Sequence, residues 1–342
     1  MGAQHVAVYV NAEADNVDRY ADLGVRVVTQ RTYRSAAGVV GNGWRLAQMW
    51  WRVRRLAPPG RRVVVINAMT SIYQSLVVPL AVRRAHEYVV VVHDAVDHPG
   101  SGHPVAAVGQ RLEYRRADRA LVLSRAVALQ LQAQGFSAPV VVGALPPSSV
   151  LRESTGTRVA GRRAPGPTPV VGFFGRLEQY KGLSQFLACA REAHRIGLPW
   201  EFRIVGNGPE SRWADTALGR HAQWQIGWVA NADLARVLEG FDVLLLPYTE
   251  ASQSGVIPLA AELGVPVVVT PVGGLVEQVS DLACGRVATS GGPRDLLEEV
   301  GAVLDLAARD SIRASAHAAI AATRARWREA VKRAVTDTPE PQ

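Results

Sequence analysis

Cysteine, lysine and long apolar runs are all scarce in this chain, and each scarcity excludes something. The only cysteines, Cys189 and Cys284, stand in unrelated contexts. So few exclude a disulfide scaffold and a cysteine-ligated zinc site, and they suit a reduced, cytoplasmic protein. No apolar run reaches the roughly 18 residues of a membrane span; the longest, 75–82 and 88–92, are strand-sized or short helical pieces. Met1 to His5 lead straight into a strand pattern with neither a basic region nor a cleavage site, so no secretory signal is expected. The absence of any spaced Cys/His set or Asp-x-Asp predicts no tightly bound metal.

What is present is ordinary for a folded protein: 48% apolar, 20% charged and 6% aromatic residues over 342 positions. That length is about twice a common domain, which predicts two. The charge is unevenly spread. Residues 1–150 hold 17 Arg against 9 acids, a net of +8, whereas residues 151–342 hold 21 basic against 21 acidic residues. A one-sided basic half suits an anionic partner: phospholipid, a phosphorylated substrate or nucleic acid. Nucleic acid is the weakest of these, since no aromatic-basic interleaving or recognisable module accompanies the charge. Only two of the 38 basic residues are lysines, Lys181 and Lys332, which draws attention to where Lys181 falls.

Short Val-rich runs at 6–10, 62–67, 88–93, 120–124 and 140–142 alternate with helical patterns such as 44–56 and 105–116. Runs of this kind are strands buried on both faces of a parallel sheet. Residues 151–168 then lose periodicity and fill with Gly, Pro and Thr, as a linker does. Strand patterns restart at 170–174, 202–205, 224–226, 243–246 and 267–270, and an Ala- and Arg-rich helical stretch closes the chain. The pattern predicts two Rossmann-like α/β domains: an N-terminal acceptor-binding domain, 1–150, and a C-terminal domain, 169–310. A helix at 311–336 is placed to cross back to the first domain. Ligands of such sheets bind beyond the carboxyl ends of the strands, here in a cleft between the domains.

Four of these strand ends carry loops suited to phosphate. Gly175-Arg176-Leu-Glu-Gln-Tyr-Lys181-Gly182 follows the run 170–174 and offers a planar cationic fork and a compact point charge on one turn. Gly206-Asn207-Gly208-Pro209 ends the next strand. Tyr248-Thr-Glu-Ala251-Ser252-Gln253-Ser254-Gly255-Val256 follows the run 243–246 and opens a helix of small and apolar residues. Pro271-Val-Gly273-Gly274-Leu-Val-Glu277 follows another. Glycines and small residues bring backbone N–H groups close to an anion.

Together these segments resemble the C-terminal domain of the retaining GT-B glycosyltransferases of family 4, over residues 170–290. The resemblance implies a GT-B fold and transfer of a sugar from a nucleoside-diphosphate sugar, a co-substrate, to a hydroxyl acceptor. By it, Arg176 and Lys181 grip the donor diphosphate as catalytic groups. Gly175, Gly206, Asn207, Gly208, Ser252, Gln253, Ser254, Gly255 and Val256 line the donor, and the stretch around Trp228 faces the base. No tightly bound cofactor is implied. Members commonly carry two glutamates eight residues apart at this helix, and the matching positions here are Ala251 and Leu259. Glu250 and Glu262, twelve apart, cannot replace that pair. The chain thus resembles a subset lacking it, often found in bacterial polysaccharide or lipid-linked saccharide synthesis. A non-catalytic binding subunit, a nucleotide-sugar epimerase and a transferase acting on a soluble aminocyclitol are the rival readings.

In the first half, His93-Asp94-Ala-Val-Asp97-His98 follows an all-apolar strand. A histidine there can bond a sugar hydroxyl or carry a proton, and the resemblance places a histidine at this strand end, so His93 is the third catalytic candidate. Asp94 and His98 are acceptor-facing candidates. On the helical pattern 44–56, Leu46, Met49, Trp50 and Val53 form an apolar stripe flanked by arginines. It reads either as an ordinary core helix or as an interfacial one touching an anionic membrane surface through Trp50, Trp51, Arg52, Arg54 and Arg55. The second reading would put the protein at the inner face of the cell membrane.

Overall fold

The computed structural model describes residues 6–11, 26–30, 43–56, 63–67, 72–84, 86–96, 104–145 and 168–336. The chain divides into two compact units. One comprises Met1–Leu123, Val127–Gly143 and Glu329–Gln342, the other Ser124–Ala126 and Ala144–Arg328. Thr168 apart, the expected linker 151–168 lies outside the described residues.

The first unit contains β1 (Val6–Asn11), β2 (Arg26–Gln30), α1 (Trp44–Leu56), β3 (Val64–Asn67), α2 (Ile72–Ala81), β4 (Glu87–Val92), α3 (Pro104–Arg116), β5 (Arg119–Val122) and β6 (Val140–Val142), with most of α4 (Arg125–Ala133). Its sheet is parallel throughout, in the order β2-β1-β3-β4-β5-β6. The Val-rich strands β3, β4 and β5 are almost wholly buried, as a sheet covered on both faces requires. Met49 and Val53, one helical turn apart on α1, pack into the core formed by Tyr88, Val90 and Leu131.

The second unit contains β7 (Val170–Arg176), α5 (Leu183–Arg195), β8 (Glu201–Asn207), β9 (Gln223–Ile226), α6 (Leu234–Glu239), β10 (Val243–Leu246), α7 (Val256–Glu262), β11 (Val267–Val269), α8 (Gly273–Leu282), β12 (Gly285–Val287), α9 (Pro293–Leu304) and most of α10 (Leu306–Thr336). Six parallel strands run in the order β12-β11-β10-β7-β8-β9. Leu183, Phe186, Leu187 and Ala190 of α5 form an i, i+3, i+4, i+7 stripe on this sheet. Phe186 stacks edge-on against Phe173 and Phe202, with ring centres 5.5 Å away in both cases. The opposite face is closed by Ile257, Ala260, Leu275 and Val279 from α7 and α8.

Several element boundaries differ from those the residue pattern predicts. β2 and β12 are strands that composition did not single out; each is short and carries arginine. β7 and β8 extend two residues further than expected, so Gly175, Arg176, Gly206 and Asn207 lie in strands rather than after them. Gly175 and Gly206 are register partners, and a Cβ on Gly206 would sit 1.9 Å from Gly175 O. Two glycines therefore let the pairing continue to the strand tips. α10 begins at Leu306, five residues before the expected 311. The Asp305 carboxylate accepts the Ala308 N–H at 3.0 Å and caps its first turn. Arg309 then anchors that turn by a buried ion pair with Asp242 at 2.8 Å. Among the described residues no helix is long and apolar enough to cross a membrane.

Candidate functional site

The site of the second unit is built where β7 and β10 end. After β7 a single 3-10 turn, Gln179–Lys181, leads into Gly182 and α5. Gly182 adopts φ 67°, and a Cβ there would lie 1.8 Å from Pro247 O. Only glycine satisfies both conditions. This close approach seats the Lys181 turn against the start of the 247–255 loop. The Thr249 N–H donates to Tyr180 O at 2.8 Å across the same seam.

Lys181 is buried, with 9% of its surface exposed. Its Nζ donates to the Tyr248 hydroxyl at 3.0 Å and stands 4.8 Å from the centre of that ring. No carboxylate among the described residues pairs with it. An ammonium has three donors, and one bond to a neutral hydroxyl leaves two without an acceptor among the described residues. A buried cation in that condition is costly unless an anion reaches it. Arg176 is exposed, and its Nη2 donates to the Tyr180 hydroxyl at 3.2 Å. Tyr180 thus lies against both cations, since Lys181 Nζ is 5.9 Å from its ring centre.

The 247–255 loop is held from beneath by α8. Gln278, buried in that helix, accepts the Ser254 N–H at 2.7 Å through Oε1 and donates through Nε2 to Ser254 O at 3.1 Å. The Ser254 hydroxyl then lies 3.3 Å from the Tyr248 hydroxyl and 3.4 Å from Val256 N. The backbone N–H expected as a ligand donor at Ser254 is therefore already given to Gln278, which leaves the hydroxyl as that residue's polar group at the cluster. Gly274 N–H donates to Ala251 O at 3.2 Å, and Thr270 Oγ1 donates to Tyr248 O at 2.5 Å. Ser252 is buried, Gln253 half-buried, and Gly255 exposed at the start of the seven-residue α7. Val256 packs beside Gly175, since a Cβ on that glycine would stand 3.7 Å from Val256 Cγ2.

The structure brings together Gly175, Lys181, Ser254 and Val256, and adds Tyr248 and Gln278, which sequence reasoning missed. The sequence contained one signal for Tyr248, a polar aromatic straight after Pro247 at a strand end. Gln278 offered none. Asn207 and Trp228 belong to neighbouring strand tips: Asn207 is exposed, with Oδ1 accepting the Gly208 N–H at 3.0 Å, and Trp228 keeps 80% of its surface in solvent. Ala251 is buried, and Leu259 packs on the core, so both positions of the missing acid pair are apolar. Glu262 is engaged by Arg324, and Glu250 is exposed.

In the first unit, His93 directly follows β4 and is half-buried. Burial lowers its pKa, against an opposing pull from the Asp94 carboxylate. The imidazole is accordingly neutral at pH 7 and able to accept as well as donate. Asp94 is exposed; His98 lies outside the described residues. A second polar cluster, unmarked by any motif, sits in this unit. Asn67 Nδ2 donates to the Tyr88 hydroxyl at 2.9 Å and to Glu113 Oε1 at 2.5 Å, and the Tyr88 hydroxyl lies 3.3 Å from the same oxygen. Burial outweighs these hydrogen bonds and pushes the Glu113 carboxyl up to about 7. No three His, Cys, Asp or Glu side chains gather into a metal-binding group among the described residues.

Residues 168–306 match the family model described as Glycosyl transferases group 1, a segment of less than half the chain. Among curated proteins, the chain is 27% identical over 220 residues to a 2-deoxystreptamine glucosyltransferase of Streptomyces kanamyceticus, covering 59% of this chain and 55% of that protein. The chain spans about half the length of the curated relatives it matches first. Among solved structures, sucrose-phosphate synthase of Thermosynechococcus elongatus superposes with a TM-score of 0.64 at 15% identity, covering 96% of this chain and 97% of that one. Anabaena HepE in complex with UDP and glucose superposes with a TM-score of 0.63 at 17% identity, covering 94% and 87%. At such identities the likeness shows the fold alone, the mixed α/β GT-B fold with its parallel sheets.

Proposed function

We propose that this chain is a family 4 glycosyltransferase that moves a sugar, with retention at the anomeric carbon, from a nucleoside-diphosphate sugar to a hydroxyl acceptor. The observation that carries the reading is Lys181, a buried cation with two donors uncommitted among the described residues, at a strand tip of the segment matching Glycosyl transferases group 1. When the bond from the anomeric carbon to the diphosphate oxygen breaks, negative charge grows on the leaving group. Lys181, held by Tyr248, and the exposed Arg176 supply positive charge for it. The acceptor oxygen bonds to the anomeric carbon on the face the diphosphate leaves, and the acceptor proton passes to the departing diphosphate oxygen. No side chain is required as nucleophile. Gly206, Asn207, Gly208 and Trp228 hold the nucleotide, the 252–256 loop holds sugar and phosphate, and His93 bonds a sugar hydroxyl in its neutral form. Asp94 and His98 face the acceptor. That the HepE neighbour carries UDP and glucose supports a donor of this class.

The acceptor in this reading is a lipid-linked saccharide or another cell-envelope glycan precursor, which suits the net +8 of residues 1–150. The relative named for 2-deoxystreptamine supports a second reading, a small soluble cyclitol acceptor. The apolar Ala251 and Leu259 favour a third, a binding subunit without turnover.

Thermal unfolding with UDP, GDP, ADP and dTDP tests the donor site. A ligand at about 100 times its Kd adds about 2.7 kcal/mol, a rise of several degrees in Tm. A rise with one nucleotide that disappears in Lys181→Ala is the expected result. A rise that persists in the variant removes Lys181 from the diphosphate, and binding without turnover of any sugar donor supports the subunit reading.

A further inference from the structure

α1 presents two different faces. Met49 and Val53 are buried in the core of the first unit, yet Trp44, Trp50 and Trp51 keep 59%, 40% and 48% of their surface exposed. At about 100° per residue, these three tryptophans share one arc of the helix with Ala47, Arg54 and Arg55. The arginines lie on the rings: the Arg55 guanidinium is 3.5 Å from the Trp51 ring centre, Arg54 is 4.7 Å from Trp50, and Arg45 is 5.7 Å from Trp44. The helix carries four arginines and no acid.

Three exposed indoles on one short helix leave a large apolar area in water. A second protein surface could cover it, but the charge argues for a different occupant. All of the chain's excess positive charge lies in residues 1–150, and the helix adds four arginines to it with no acid in its own sequence. An indole beside a guanidinium also matches the interface of an anionic bilayer, where the ring settles at headgroup level and the cation meets lipid phosphate. The inward stripe remains packed in the core, so the outward face can bind without the helix turning or unfolding.

We propose that α1 is an interfacial helix that lays the first unit on an anionic phospholipid surface, with Trp44, Trp50 and Trp51 among the headgroups and Arg54 and Arg55 on the phosphates. The proposal rests on α1 alone and stands or falls separately from the donor site.

The test is sedimentation of the full chain with phosphatidylcholine vesicles and with vesicles in which phosphatidylglycerol replaces part of that lipid. Binding is expected only to the second, weakening with salt. Arg54→Gln with Arg55→Gln should lower the partition coefficient by about 25-fold, at about fivefold per arginine. Trp50→Ser with Trp51→Ser should abolish the part of the tryptophan quenching by brominated lipid that those rings contribute. All four side chains lie outside the core, so unchanged circular dichroism and Tm are expected of both variants. Equal binding to the two vesicle types, no binding to either, or binding unaffected in both variants overturns the proposal. So does a dimer in solution that Trp50→Ser with Trp51→Ser dissociates, which would assign the face to a second copy of the chain.

Discussion

Each unit folds around six parallel strands among the described residues, and each buries an ionisable group within a small polar cluster, but these two centres are of opposite kind. In the second unit the centre is a lysine at the strand tips, bonded to one neutral hydroxyl and otherwise uncommitted among the described residues. In the first it is Glu113, enclosed with Asn67 and Tyr88 and pushed toward its neutral form. A buried cation with donors to spare invites an anion, whereas a buried acid that keeps its proton can satisfy itself within the core. The same architecture thus leaves a cation with donors to spare at the strand tips of one unit and encloses a polar tie in the other.

The contrast breaks most visibly at Lys181. Lys181→Ala should cut turnover of the donor sugar by about 10²-fold or more, because in the proposed reaction its charge acts where the leaving group develops its own. A loss under about threefold would show that Lys181 is as self-contained as Glu113.

Next in size is the pH dependence of stability. The Glu113 carboxyl rises from 4.5 to about 7 on folding, so the folded chain keeps a proton that the unfolded chain releases over that range. The stabilisation is complete below the unfolded value, declines as pH rises from about 4.5 to about 7, and is absent above. A shift of this size corresponds to roughly 3 to 4 kcal/mol. Denaturant unfolding at pH 5 and pH 8 should show that decline in the native chain and a flatter profile in Glu113→Gln. Equal profiles would mean that the carboxyl is already ionised at pH 5.

The smallest effect sharpens the comparison. Tyr248→Phe keeps the ring under Lys181 but removes the hydroxyl that binds its Nζ and faces Ser254. As a positioning change it should lower turnover by about tenfold, equivalent to about 1.4 kcal/mol, with Tm nearly unchanged. A large fall in Tm with unchanged kcat would make the hydroxyl a structural tie like that of Tyr88.

How much was legible differs with the range of the interaction. Short apolar runs announced β1 and β3 to β11, for most of them because burial on both faces leaves a local mark in the sequence. The short arginine-bearing strands β2 and β12 left none, since neighbours rather than composition recruit them to the sheet. Lys181 stood out as one of two lysines beside a glycine turn, and His93 by its place after an apolar strand. Tyr248 lies 67 residues from Lys181, and Gln278 lies 24 from Ser254. No local pattern joins them. The cluster of Asn67, Tyr88 and Glu113 was invisible for the same reason.

By itself, the sequence determined two α/β units of parallel strands, the glycine-bearing strand tips and the uneven charge, because periodicity, turn chemistry and composition act on neighbouring residues. Only the tertiary structure decided that Lys181 is buried without a counter-ion among the described residues, that Gln278 has already claimed the Ser254 amide, and that the tryptophans of α1 face outward. Each of those outcomes depends on which distant groups the packed chain brings within hydrogen-bonding reach, and on which it leaves in water.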